Sequence, residues 1–143
     1  MKISMAQVVQ NKTAPHKKIQ SFTDLDAWKA GHNLVITVYE IAKKFPKCEE
    51  FELAKQLKRA VTSITSNIAE GFSRQSYKEK MYFYRIALGS LTEVQNQLLI
   101  GRDVQLITQD IFYRATNQAV TASKIINGLI KSTGMRRMQV PNS

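Results

Sequence analysis

The chain has 143 residues, 43% of them hydrophobic, with six Gly, three Pro and one Cys; that length holds one ordinary domain and is too short for two, and so few turn formers leave room only for a small number of long elements, which means helices. Lys and Arg outnumber Asp and Glu by 21 to 11, a formal charge of +10, which favours polyanionic partners. The single cysteine excludes an internal disulfide and fits a reducing cytoplasm, and no apolar run approaches the roughly 20 residues that a bilayer span requires.

Residues 1–21 are polar, lack a sustained period and carry Lys2, Lys12, Lys17 and Lys18 with no acid before Asp24; a flexible basic arm is expected there. Order begins near Asp24, a suitable N-cap. Trp28, Gly31, Val35, Val38, Ala42 and Phe45 then recur at three and four, sharing one face of a first helix that ends at Phe45-Pro46. A second helix is predicted from about 49 to 69, with Leu53, Leu57, Ala60, Val61, Ile64 and Ile68 toward the core and Gly71 as its stop. Beside that stripe runs a polar seam of Gln56, Arg59, Ser63, Asn67 and Glu70, confined to an arc of about 80°. Polar groups beside a core are costly unless paired, and Arg59 is the expected partner of Asn67 and Glu70. The seam is therefore assigned a structural role, fixing helix register or a subunit contact.

Ser76-Tyr77-Lys78-Glu79 has the form of a capping box and starts a third helix that can run to about Arg102. Its main stripe is Phe83, Ile86, Ala87, Ser90, Leu91, Val94 and Leu98. Met81, Leu88 and Leu99 fall on an adjoining face, with Tyr84 between the two, and such a second apolar face calls for cover by another subunit. Thr108 can cap a fourth helix bearing Ile111, Ala115, Ala119, Ala122, Ile126 and Leu129, ending near Gly134. The sum is an all-α, up-down-up-down antiparallel four-helix bundle over residues 22–131, with a short tail over 132–143.

The sequence offers little for catalysis. A di-iron bundle needs a Glu-x-x-His pair, and neither His16 nor His32 has Glu three residues before it. Cys48 lies beyond Pro46, about four turns from His32, so a Cys-His dyad is not expected. No Gly-rich phosphate loop is present. The expectation is a protein that is not an enzyme and has no catalytic residue, metal, cofactor or small-molecule substrate.

Surface recognition remains. From Lys55 to Arg85 there are seven cations against Glu70 and Glu79, a net +5. Lys55, Lys58, Arg74, Lys78, Lys80 and Arg85 are candidates for nucleic-acid phosphates, and Tyr77 and Tyr82 for stacking on unpaired bases. The competing reading is a structural or protein-interaction module whose charge is incidental.

Several stretches carry a resemblance: Ser21-Phe22-Thr23-Asp24-Leu25 with Ala27-Trp28, Phe45-Pro46, Gln56-Leu57-Lys58-Arg59-Ala60 with Ser63-Ile64, Asn67-Ile68-Ala69-Glu70-Gly71-Phe72, and Ala87-Leu88-Gly89-Ser90-Leu91. Over residues 21 to about 131 the chain resembles the bacterial four-helix-bundle family of 23S rRNA intervening-sequence proteins, which includes or closely resembles the accessory variability determinant (Avd) proteins of diversity-generating retroelements. That resemblance implies a homopentamer with a positively charged surface. It also implies partnership with a reverse transcriptase and its template RNA, or an RNA/DNA hybrid, in mutagenic cDNA synthesis. Family members encoded inside ribosomal intervening sequences imply an rRNA-associated alternative.

Overall fold

The computed structural model describes residues 18–140, the side chains of 49–51 apart. Most of the expected basic arm, residues 1–17, and the last three tail residues lie outside the described residues. Among the described residues there are four α-helices: α1 (Asp26–Lys43), α2 (Lys55–Ser73), α3 (Tyr77–Asp103) and α4 (Gln109–Gln139). Each packs against the helix before and after it, and α4 closes the ring on α1. The contacts fix an antiparallel order: Gly31 near the start of α1 lies against Ile64, Thr65 and Ile68 of α2, Leu53 ahead of α2 approaches Gly101 late in α3, and Gly134 late in α4 sits on Met81 early in α3. One end of the bundle thus gathers the start of α1, the end of α2, the start of α3 and the end of α4.

Chain entry is set by a small hydrogen-bonded box. The Ser21 hydroxyl accepts from Thr23 N–H at 3.3 Å, and the Asp24 carboxylate accepts from the backbone N–H groups of Ser21 and Gln20 at 3.1 and 3.0 Å. Asp24 therefore closes a 3₁₀ turn over Phe22–Asp24, and α1 starts two residues later behind Leu25, with Asp26 in the first turn where the helix dipole favours a carboxylate. Between α1 and α2 the backbone passes through a 3₁₀ turn (Lys47–Glu49) and a single π turn (Glu50–Ala54). Ser76 and Thr108 cap α3 and α4, accepting from Glu79 N–H and Ile111 N–H.

Helix ends depart from the sequence reading, and the glycines explain why. Gly71 does not stop α2; it is buried against Tyr84, and the helix continues to Ser73. Gly101 is likewise packed under Ile107, while α3 closes with Gln105 in the left-handed region at φ 65°. There Gln105 N–H donates to Arg102 O at 3.1 Å and Leu106 N–H to Gly101 O at 2.8 Å, the paired closure of a Schellman motif. Gly134 does not end α4, which runs on to Gln139, so residues 132–139 are helix and not tail.

Leu34, Leu57, Ile64, Ile68, Leu91, Leu98 and Ile126 are fully buried and form the centre of one continuous core; each contributes about 1.5–3 kcal/mol by leaving water. On α1 the inward face is Ala27, Gly31, Leu34, Thr37, Val38, Ile41 and Ala42, turned slightly from the predicted stripe, so Trp28 and Val35 pack at its margin. Trp28 stacks on His32 with ring centroids 4.6 Å apart. The inward face of α3 is also rotated: Met81, Tyr84, Ala87, Leu91, Val94 and Leu98 are buried, whereas Phe83 and Ile86 are only half-buried. Two of the four residues expected at a subunit interface, Met81 and Tyr84, are thus covered by their own chain, at 9% and 2% exposure. Met81 lies under the final turns of α4, the segment expected to be tail. Leu88 packs at the core margin, and Leu99 is open at 42%, beside exposed Ile100 and Val104.

Candidate nucleic-acid interface

The predicted basic interval does not form one patch. Lys55 and Lys58 begin α2, while Arg74, Lys78 and Lys80 flank the α2–α3 turn. From residue 55 to 74 the helix rises about 28 Å, so the two groups occupy opposite ends of the bundle. Lys55 is exposed; Lys58 lies half-buried with its ammonium 5.4 Å from the centre of the Tyr39 ring. Arg85 is exposed two turns into α3.

At the α2–α3 end the cations divide by role. Arg74 forms an ion pair with Glu70 and lies over the Phe83 ring at 4.7 Å. Lys80 donates to the Phe72 carbonyl at 2.6 Å and reaches the Gly71 carbonyl at 3.5 Å, capping the open carbonyls of α2. Burial holds the Lys80 ammonium below the usual lysine range. Lys78 is exposed. With Arg74, Glu79, Tyr82 and Phe83 it lines a shallow groove of about 490 Å³. Tyr82 is 61% exposed there and meets Phe83 edge-on at 5.3 Å, so it offers a free face to an unpaired base.

Tyr77 lies elsewhere, in a recess of about 520 Å³ at the same end of the bundle, shared with Phe72, Lys80, Tyr84, Lys18 and Arg136. Sequence reasoning placed Lys18 in an arm and Arg136 in a tail; the fold brings both to the α2–α3 turn. The spacing Ile126, Leu129, Thr133 carries the inward face of α4 up to Gly134, two residues before Arg136.

The polar seam is satisfied locally. Ser63 and Ser90 hydroxyls lie 2.8 Å apart across α2 and α3, and Asn67 Nδ2 donates to the Ser63 carbonyl and hydroxyl at 2.8 and 3.0 Å. Arg59 is not the partner expected for Asn67 and Glu70: Ser63 serves the one and Arg74 the other, while Arg59 and Gln56 are exposed. One turn separates Asn67 from Ser63, and the i,i+4 reach is shorter than any that a long arginine must span. The seam thus includes Ser90 of α3, which ties the register of two helices.

The described residues form an all-α four-helix bundle with basic side chains that lack an ion-pair partner around one end. The chain belongs to the family of 23S rRNA-intervening sequence proteins, whose family model matches residues 23–128. In three dimensions it is similar to a protein of unknown function from the S23 ribosomal protein family of Bacteroides thetaiotaomicron VPI-5482, with a TM-score of 0.69 and 24% identity over 73% of this chain and 98% of that one. At that identity the likeness speaks for the fold alone. None of the curated proteins matches the chain. No described helix is long and apolar enough to cross a membrane.

Proposed function

We propose that this protein is a non-enzymatic accessory factor that holds RNA, or an RNA/DNA hybrid, on its basic surfaces. Within that role it acts as the Avd-type partner of a diversity-generating retroelement reverse transcriptase, as a homopentamer in the cytoplasm. The supporting observation is charge left without carboxylates. Among the described residues only Arg74 and Arg102 form ion pairs; Lys55, Lys78 and Arg85 present theirs to solvent, and exposed Tyr82 lies beside Lys78. Such cations release condensed counterions when they meet phosphates, and that release drives association. The family description favours a second reading, in which the bound RNA is ribosomal.

The test is a titration of structured RNA at several salt concentrations. Log affinity should fall linearly with log salt, and Lys78→Gln and Arg85→Gln should each lessen the slope by about 1. Absence of binding at low salt removes the proposal. Co-purification from the native host, with sequencing of the bound RNA, separates a retroelement template from ribosomal RNA.

A further inference from the structure

The recess at the α2–α3 end has a composition that an open phosphate-tracking surface does not need. Three cations, Lys18, Lys80 and Arg136, line it, and no carboxylate does. Phe72, Tyr77 and Tyr84 supply aromatic walls. Its volume of about 520 Å³ lies within the roughly 300–1,000 Å³ of small-ligand sites.

Two of its groups have unused hydrogen-bonding capacity. The Tyr84 side chain is buried to all but 2%, lines the recess, and makes no hydrogen bond with any described residue. A tyrosine hydroxyl at the wall of a recess can both donate and accept a hydrogen bond. Lys80 gives two of its three ammonium protons to the Phe72 and Gly71 carbonyls, which leaves the third. Arg136 is close enough for its charge to act on the Tyr84 hydroxyl, opposing the rise that burial imposes.

We propose that this recess binds a phosphate monoester carried on a nucleoside, with Lys80, Arg136 and the Tyr84 hydroxyl on the phosphate and the aromatic walls against the base. A monoester carries about −1.5 to −2 charges at neutral pH, which suits three cations better than the single charge of a carboxylate or a phosphodiester. The ligand is therefore a strand end or a free mononucleotide, not a strand passing through. The inference deepens the RNA-binding reading and rests on it for the strand-end case, but its site is separate from the Lys78 and Tyr82 groove.

The experiment uses the full chain with a short oligoribonucleotide bearing a 5′-phosphate, a 3′-phosphate or only hydroxyl ends, and with AMP alone. A terminal phosphate should tighten binding about tenfold, the scale of one charge-assisted hydrogen bond. Arg136→Gln, at an exposed position, and Tyr84→Phe, which removes only an oxygen, should abolish that gain and leave the hydroxyl-ended RNA unaffected. Lys78→Gln should weaken all three oligonucleotides alike. AMP binding that is lost in Arg136→Gln, with no preference among oligonucleotide ends, assigns the recess to free nucleotide and supports it even if surface RNA binding fails. Equal affinity for all three ends, together with no AMP binding, overturns the proposal.

Discussion

The ring of Tyr84 occupies the space that a side chain at Gly71 would need: a Cβ there would lie 2.7 Å from Tyr84 Cε1 and 2.9 Å from Cδ1. The absence of a side chain on α2 thus lets α3 approach and places the Tyr84 hydroxyl at the recess. Gly71→Ala gains about 1 kcal/mol of helix propensity but forces a packed ring to move, at about 1–3 kcal/mol. A lower urea midpoint is expected. Gly128, with open space around its Cα, should respond the other way, Gly128→Ala gaining about 0.5–1 kcal/mol. An unchanged or raised midpoint for Gly71→Ala would refute the close-approach argument.

The seam makes a second prediction. Ser63→Ala removes the partner of the Ser90 hydroxyl and one of the two acceptors of Asn67 Nδ2, whose bond to the Ser63 carbonyl remains, and should cost about 1–3 kcal/mol because the buried Ser90 hydroxyl loses its partner. Arg59→Ala should stay within about 0.5 kcal/mol. Denaturation of the two variants side by side distinguishes this arrangement from one held by Arg59.

Two groups give stability an alkaline signature of opposite sign. Burial pushes the Tyr84 hydroxyl up to about 12, with Arg136 pulling against it. Between its ordinary value near 10 and 12 the folded chain keeps a proton that the unfolded chain releases, so this contribution is intact below about pH 10 and lost as pH rises through 12. The loss amounts to about 3 kcal/mol at most, and Tyr84→Phe should remove it. Lys80 is held below its ordinary 10.5; there the unfolded chain binds the extra proton, so stability rises with pH toward 10.5, and Lys80→Gln should remove that rise. Thermal melts across pH 8 to 12 would expose both limbs, and identical profiles for wild type and Tyr84→Phe would contradict the assignment.

Leu99, Ile100 and Val104 form the apolar surface that α3 leaves open. Leu99→Glu should lower the mass in solution, measured by light scattering, while the circular dichroism of the bundle is kept. Leu88→Glu should lower stability as well, because Leu88 packs at the core margin. If Leu99→Glu leaves the mass unchanged, subunits do not meet on that face.

The helix count, the Ser76 and Thr108 caps, and the α2 stripe were all legible because they depend on near neighbours along the chain. The misplaced features depend on distant ones. Gly71 and Gly101 looked like helix stops, yet their small size serves Tyr84 and Ile107, residues that no local pattern connects to them. Met81 and Tyr84 looked unpartnered because no local pattern joins them to Gly134 and Gly71, the positions on which they pack. The candidate surface was legible as charge but not as geometry: a run of cations along the chain cannot show that Lys55 and Lys80 lie at opposite ends of the bundle. Nor can it show that Lys18 and Arg136, more than a hundred residues apart, border one recess.

The four helices are unequal, and the inequality has a dynamic consequence. At 1.5 Å per residue, the 31 residues of α4 extend about 46 Å and the 18 of α1 about 27 Å. Beyond Gly134, which covers Met81, the residues of α4 are all exposed, so this overhang of little more than one turn can fray at little cost while the core stays shut. Arg136 rides on that overhang. A ligand that grips it would convert a fraying end into an ordered one, and amide hydrogen exchange over the last turns of α4 would register its arrival.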